Sequence, residues 1–175
     1  MARITLVDPS AASEREKTIY HRFPSNLVAG LLRTTPDIAE GYLSLGAALS
    51  SSPLSPRIRE MVILRVGVLC GSSYEWMQHV DIATSVGAGP DELAAIESGD
   101  LSTLTKLERA VLRFVDDMVE QPKASTAAFD GAVAALGQQG AATVALLTGH
   151  YLMTARFLET LEIDLDAAPT SWDNA

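Results

Sequence analysis

Cysteine is nearly missing from this 175-residue chain: Cys70 is the only one. A single thiol excludes an internal disulfide, a two-cysteine redox motif and any multi-cysteine zinc site. Basic residues are scarce as well. Thirteen Lys and Arg stand against 22 Asp and Glu, for a formal net charge of -9. No Lys/Arg cluster offsets that acidity, so no nucleic-acid partner is expected, because phosphate binding needs a basic surface. Long hydrophobic runs are absent too. The best one, residues 62–70, is interrupted by Arg65 and falls far short of a membrane span. The start, MARITLVDPSAASEREK, has no basic region followed by an apolar stretch, so no signal peptide is expected. There is no Gly-rich phosphate loop or dinucleotide fingerprint, and no cofactor is expected. The segment Gly87-Ala88-Gly89 reads as a helix break. These absences point to a soluble, cytoplasmic protein with neither membrane nor nucleic-acid partners.

What is present is apolar residues, 47% of the chain, enough for one domain over residues 1–175 to bury a core. Helix start signals recur. Thr35-Pro36-Asp37 and Ser55-Pro56-Arg57 each place a capping side chain before a proline at the first helical position. Gly89-Pro90-Asp91-Glu92 does so more weakly. Ser72-x-x-Glu75 and Thr105-x-x-Glu108 both fit the capping box. Stop signals follow at Gly71, Gly87, Gly99 and Pro122. Leu107, Val111, Leu112, Val115, Met118 and Val119 form one helical stripe. Val144, Leu147, Tyr151, Met153, Phe157, Leu158 and Leu161 follow the same period. The β-branched run 62–70 would also suit a strand, but its cap and length favour a buried helix. The expected fold is all-α, with about six to eight helices and irregular arms over residues 1–14 and 169–175. No internal repeat or low-complexity linker divides it.

The chemistry concentrates in residues 59–87, REMVILRVGVLCGSSYEWMQHVDIATSVG. Glu60 and His79 lie on successive helical segments joined by Gly71-Ser72-Ser73. An acid and an imidazole on otherwise apolar helices are costly to bury unless they pair. Such a pair is a general acid/base unit, with Glu60 orienting His79. The bland alternative for Glu60 is a buried ion pair with a neighbouring arginine, such as Arg57 or Arg65. Glu75 sits one turn before His79 on the same face, but its capping box with Ser72 is the stronger reading. Tyr74 offers a hydroxyl to a substrate oxygen, and Trp76 an aromatic wall; core or interface packing is the commoner role for both. Cys70 reads as a small buried hydrophobe. The other histidines are His21, at the surface or an interface, and His150, which faces either the His79 pocket or a subunit contact. His79, Glu60, Glu75 and His150 lack metal-ligand spacing, so no metal is expected.

The pattern P-R-x-R-E-x-V-I-L-R, then Y-E-W-x-x-H, A-x-x-x-G and P-x-E-x-x-x-I, resembles the carboxymuconolactone decarboxylase family, which includes the alkylhydroperoxidase-D-like proteins. Residues 148–158, Thr-Gly-His-Tyr-Leu-Met-Thr-Ala-Arg-Phe-Leu, and the closing Glu162-Ile163-Asp164-Leu165-Asp166 extend the resemblance over roughly 23–166. It implies an all-helical fold assembling as trimers or hexamers, with residues 27–49 and 144–161 offering apolar interface surface. The peroxidase branch carries a Glu followed by C-x-x-C-x-x-x-H. Set on Glu60 and His79, that pattern puts its cysteines at Ser72 and Glu75, so thiol peroxidase activity is not expected. It also turns Glu75 towards the pocket.

The resemblance implies a lyase-type, cofactor-independent enzyme acting on a lactone or another enolisable acid, such as an intermediate of aromatic-compound breakdown. His79 would protonate carbon, and Glu60 would set its tautomer. Tyr74 or a backbone amide near 71–73 would meet the developing negative charge. Arg59 or Arg65 would hold a substrate carboxylate, with Trp76 and His150 lining the site. Two other readings are an antioxidant protein working through Cys70 and a non-catalytic oligomeric binding protein. An open cavity at the pair favours the enzyme; a filled one favours the binding protein.

Overall fold

Side chains that cap first turns decide where the helices of this chain begin. The computed structural model describes residues 2–170. Among them are eight α-helices, one 3₁₀ turn and no strand, in the all-α class expected. In order these are α1 (Glu14–His21), α2 (Asn26–Leu31), α3 (Pro36–Ser50), α4 (Pro56–Leu69), α5 (Ser73–Ser85), α6 (Pro90–Ser98), the 3₁₀ turn (Leu101–Thr103), α7 (Lys106–Glu120) and α8 (Thr126–Leu161). Residues 171–175 of the expected C-terminal arm lie outside the described residues.

The chain divides into two compact units. The first takes Met1–Ser51 and Phe157–Ala175. Here Ser13 and Glu16 close a capping box at the start of α1, and Thr35 caps α3 ahead of Pro36. Residues 2–12 form no helix, yet they are anchored: the Arg3 amide donates to the Leu161 carbonyl at 2.8 Å. The Asn26 amide donates to Asp166 at 2.7 Å, which ties the closing acidic stretch to the start of α2. Ile19, Val28 and Leu43 form its core.

The second unit, Ser52–Arg156, holds α4 to α7 and most of α8. Met61, Val62, Ile63, Leu64 and Val66 are all buried, so α4 is covered on nearly every side. That explains its β-branched composition: a helix apolar all round is a core helix. Burial of each such side chain is worth about 1.5–3 kcal/mol, which outweighs a few tenths of lost helix propensity. Val111, Leu112 and Val115 of α7 supply the facing surface, but Leu107 of the expected stripe is exposed at the helix start. On α8, Val144, Leu147 and Leu158 point inwards, whereas Met153 is exposed, one step off the buried face. Helix α8 is interrupted at Gly137, whose φ of 72° lies in the left-handed region that favours glycine.

Two arginines fasten this unit. Arg57 donates to Glu108 at 2.8 Å, to Glu92 at 2.5 Å and to the Gly87 carbonyl, joining α4 to α6 and α7. Glu108 also closes the capping box with Thr105, as its spacing predicts. Arg65 makes the second fastening, described with the site.

Candidate active site

Helices α4 and α5 form a hairpin, closed by Gly71 at φ 67° and by the Ser72 amide donating to the Gly67 carbonyl at 2.8 Å. Gly67 allows the two helices to come close. A Cβ placed there would lie 3.0 Å from the Cβ of Glu75. This close pairing brings Glu60 of α4 opposite His79 of α5. Their side chains meet, with Glu60 Oε2 2.8 Å from His79 Nδ1. Glu60 is buried, while the His79 side chain keeps 15% of its surface open. The other carboxylate oxygen, Glu60 Oε1, accepts from Arg59 Nε at 3.2 Å. A carboxylate accepting from a guanidinium has only acceptor sites to offer, so Nδ1 of the imidazole is the donor in the pair. Nε2 is thereby left to take or give a proton.

Glu75 completes the group. Its Oε2 is 3.6 Å from His79 Nε2, across one helical turn. That distance is beyond a hydrogen bond but within ion-pair range. The favoured sequence reading, a cap for α5, is overturned here: the Ser72 side chain makes no cap hydrogen bond. The backbone shows why. Ser72 has ψ of 99°, whereas the serine and threonine caps that do accept a bond, Ser13, Ser25, Thr35, Ser55 and Thr105, have ψ of 142° to 161°. The tight turn at Gly71 rotates the serine out of capping geometry, and the glutamate turns to the histidine instead.

The remaining candidates fall elsewhere. Arg65 is buried, donating to Asp116 Oδ1 at 2.6 Å and to the Ile96 carbonyl at 2.8 Å. Its guanidinium is used to bind α4 to α6 and α7 and is not offered to a substrate. Arg59 is engaged with Glu60 rather than held for a substrate carboxylate. The ion pair with a neighbouring arginine that the bland reading expected is present, made by Arg59 rather than by Arg57 or Arg65, and Glu60 holds it together with the bond to His79. Tyr74 is a buried core residue on the first turn of α5. Trp76 is half-buried and walls a cavity of about 330 Å³ with Gly67, Ser72, Ser73 and Glu97. Cys70 is the C-cap of α4 and is half-buried, more open than a core hydrophobe. His150 is buried on α8, and burial pushes its pKa down to about 4. Its ring stands against that of Tyr151, 5.3 Å between centroids.

Sequence reasoning treats Tyr151 only as one apolar position on α8. In the structure its ring meets His79 edge-to-face, 5.2 Å between centroids and 84° between planes. No local signal marks it, because the contact joins residues far apart in the chain.

Solved structures share the fold. An uncharacterized peroxidase-related protein from Ralstonia eutropha JMP134, an alkylhydroperoxidase AhpD core, superposes with a TM-score of 0.80 at 17% identity, covering 95% of this chain and 93% of that one. The debrominase Bmp8 gives 0.77 at 16% identity over 95% and 93%; it is also solved in complex with 2,3,4-tribromopyrrole. A protein from Agrobacterium tumefaciens, whose description links it to the antioxidant defence protein AhpD, gives 0.71 at 19% identity over 77% and 94%. No curated protein matches the sequence. Residues 36–117, which span the site hairpin, match the Carboxymuconolactone decarboxylase family. Those matched residues are just under half of the chain, and the likeness to the AhpD-like structures is one of fold. Among the described residues no helix is long and apolar enough to cross a membrane.

Proposed function

We propose that this protein is a cofactor-independent acid/base enzyme of the carboxymuconolactone decarboxylase type, acting on a lactone or another enolisable carboxylic acid. The observation that carries the reading is the imidazole of His79, with Nδ1 2.8 Å from Glu60 and Nε2 turned to Glu75. In a lactone carboxylate, the C–CO₂ bond breaks and its electron pair passes through the conjugated ring to the lactone oxygen. Carbon dioxide leaves, and a ring carbon then takes a proton. His79 first takes a proton from solvent at Nε2, through the part of its side chain that stays open, and the imidazolium so formed gives that proton to the ring carbon. Glu60 stabilises the imidazolium and holds its tautomer. The cavity beside Trp76 is lined by Gly67, Ser72, Ser73 and Glu97 and by neither His79 nor Glu60, so access to the imidazole is by its own open surface, 15% of the side chain.

A dithiol peroxidase reading fails on composition, because the one cysteine has no second thiol in the chain to resolve it. Self-association is part of the proposal. Leu146 and Met153, two turns apart on α8, are both about half exposed, a surface suited to a second copy.

The test is turnover of a panel of lactone and β-keto carboxylic acids, followed by carbon dioxide release. His79→Ala and Glu60→Gln are each expected to lower kcat/KM by about 10² to 10⁴. Full turnover in both variants would show that the pair carries no chemistry.

A further inference from the structure

One strong bond does not fix an imidazole. With Nδ1 held by Glu60 at 2.8 Å, the His79 ring can still pivot about that contact, and Glu75 at 3.6 Å from Nε2 is too far to stop it. A general acid/base must hold its reacting nitrogen in place, since small misplacements lose large factors in rate. A third restraint on the ring is needed.

We propose that Tyr151 is that restraint: a positioning residue whose aromatic ring fixes the plane of the His79 imidazole, keeping Nδ1 on Glu60 and Nε2 turned to Glu75. The inference rests on His79 being the working imidazole of the proposed function. The contact has the favoured edge-to-face form, 5.2 Å between centroids and 84° between planes. Such a pair is directional, so it resists ring rotation where plain apolar packing does not. Tyr151 is itself supported. His150 stands edge-on to it at 5.3 Å and 82°, so three rings follow one another from α8 to the site. Burial keeps His150 neutral in mild acid, and it serves as an uncharged wedge behind the tyrosine. On this account α8 contributes packing, while α4 and α5 contribute the reacting groups.

The test needs no substrate. The ring nitrogens of His79 are observed in a long-range proton–nitrogen correlation spectrum, with signals assigned through His79→Gln. Wild type is compared with Tyr151→Phe, which keeps the ring, and with Tyr151→Leu and Tyr151→Met, which do not. Wild type and Tyr151→Phe are expected to show one tautomer, protonated on Nδ1, with slow exchange of that proton. The leucine and methionine variants are expected to lose that pattern, giving averaged nitrogen shifts and fast exchange. Wild-type His79 signals in either non-aromatic variant overturn the proposal, even if that variant melts earlier. Loss of the pattern in Tyr151→Phe also overturns it, since the hydroxyl would then be responsible. Full turnover by His79→Ala would sink the acid/base reading while leaving the spectral result intact, so the two failures are separable.

Discussion

An imidazole moved out of water gives up the proton it would carry in mild acid, because burial penalises the charged form. His150 is in that position, with its pKa pushed from 6.5 to about 4. The unfolded chain binds a proton at this residue below about pH 6.5, whereas the folded chain does so only below about 4. Between those values the unfolded state holds more protons, so stability falls as pH falls. The stability is intact above the unfolded pKa, and the loss amounts to ~3 kcal/mol by the acid end of the window. His150→Gln removes the titration. Urea unfolding of wild type and variant between pH 7.5 and 4.5 should give curves that converge on acidification. Parallel curves would show that His150 has no part in the acid sensitivity. The residue scale was also where the sequence was most and least legible. Glu60 and His79 stood out because ionisable groups are rare on apolar helices. Glu75 was misread because a capping box depends on backbone angles that spacing does not reveal. Arg65 was misread because its partners, Asp116 and the Ile96 carbonyl, come from elements far along the chain.

At the scale of the element, the α4–α5 hairpin depends on its close approach at Gly67. Alanine favours a helix over glycine by about 1 kcal/mol. At Gly67, however, the added Cβ meets the Glu75 Cβ at 3.0 Å, an atom that cannot swing aside. Overpacking of this kind costs about 1–3 kcal/mol, so Gly67→Ala is expected to destabilise by about 1 kcal/mol net. Gly41 in α3 is the control, because a Cβ there meets nothing within 4 Å. Gly41→Ala should stabilise by up to about 1 kcal/mol. Thermal melts of both variants check this, and a Gly67→Ala protein melting above wild type would refute the tight hairpin. The helices themselves were largely legible. The five start signals each fell at a helix start; Thr35, Ser55 and Thr105 do so with their side-chain caps formed, a local effect, whereas Ser72 and Gly89 mark α5 and α6 without one. The failures, Leu107 and Met153, sit where the helical period alone does not say which face the neighbours cover.

For the whole molecule, the question is what covers the exposed apolar side chains of α8. Leu146 and Met153 lie on one face of that helix, and water is a poor neighbour for both. On the proposed self-association, a second copy of the chain buries them. Sedimentation equilibrium is expected to give a mass of three or six chains for wild type, and a smaller one for the double variant Leu146→Glu, Met153→Glu. A monomeric wild type would end the self-association proposal. The expectation of assembly comes only through resemblance, since an acidic, apolar-rich composition is shared by many single-chain proteins.

The chemistry of the group around His79 also decides what can damage it. Thiols that react with peroxide climb an oxidation ladder and must be regenerated by a reductant. Glu60, His79 and Glu75 have no such ladder. On the proposed function, a site built from two carboxylates and an imidazole needs no reductant to recycle it. Cys70 and the methionines, with Met61 and Met77 next to the site in sequence, are the residues left to record oxidative exposure.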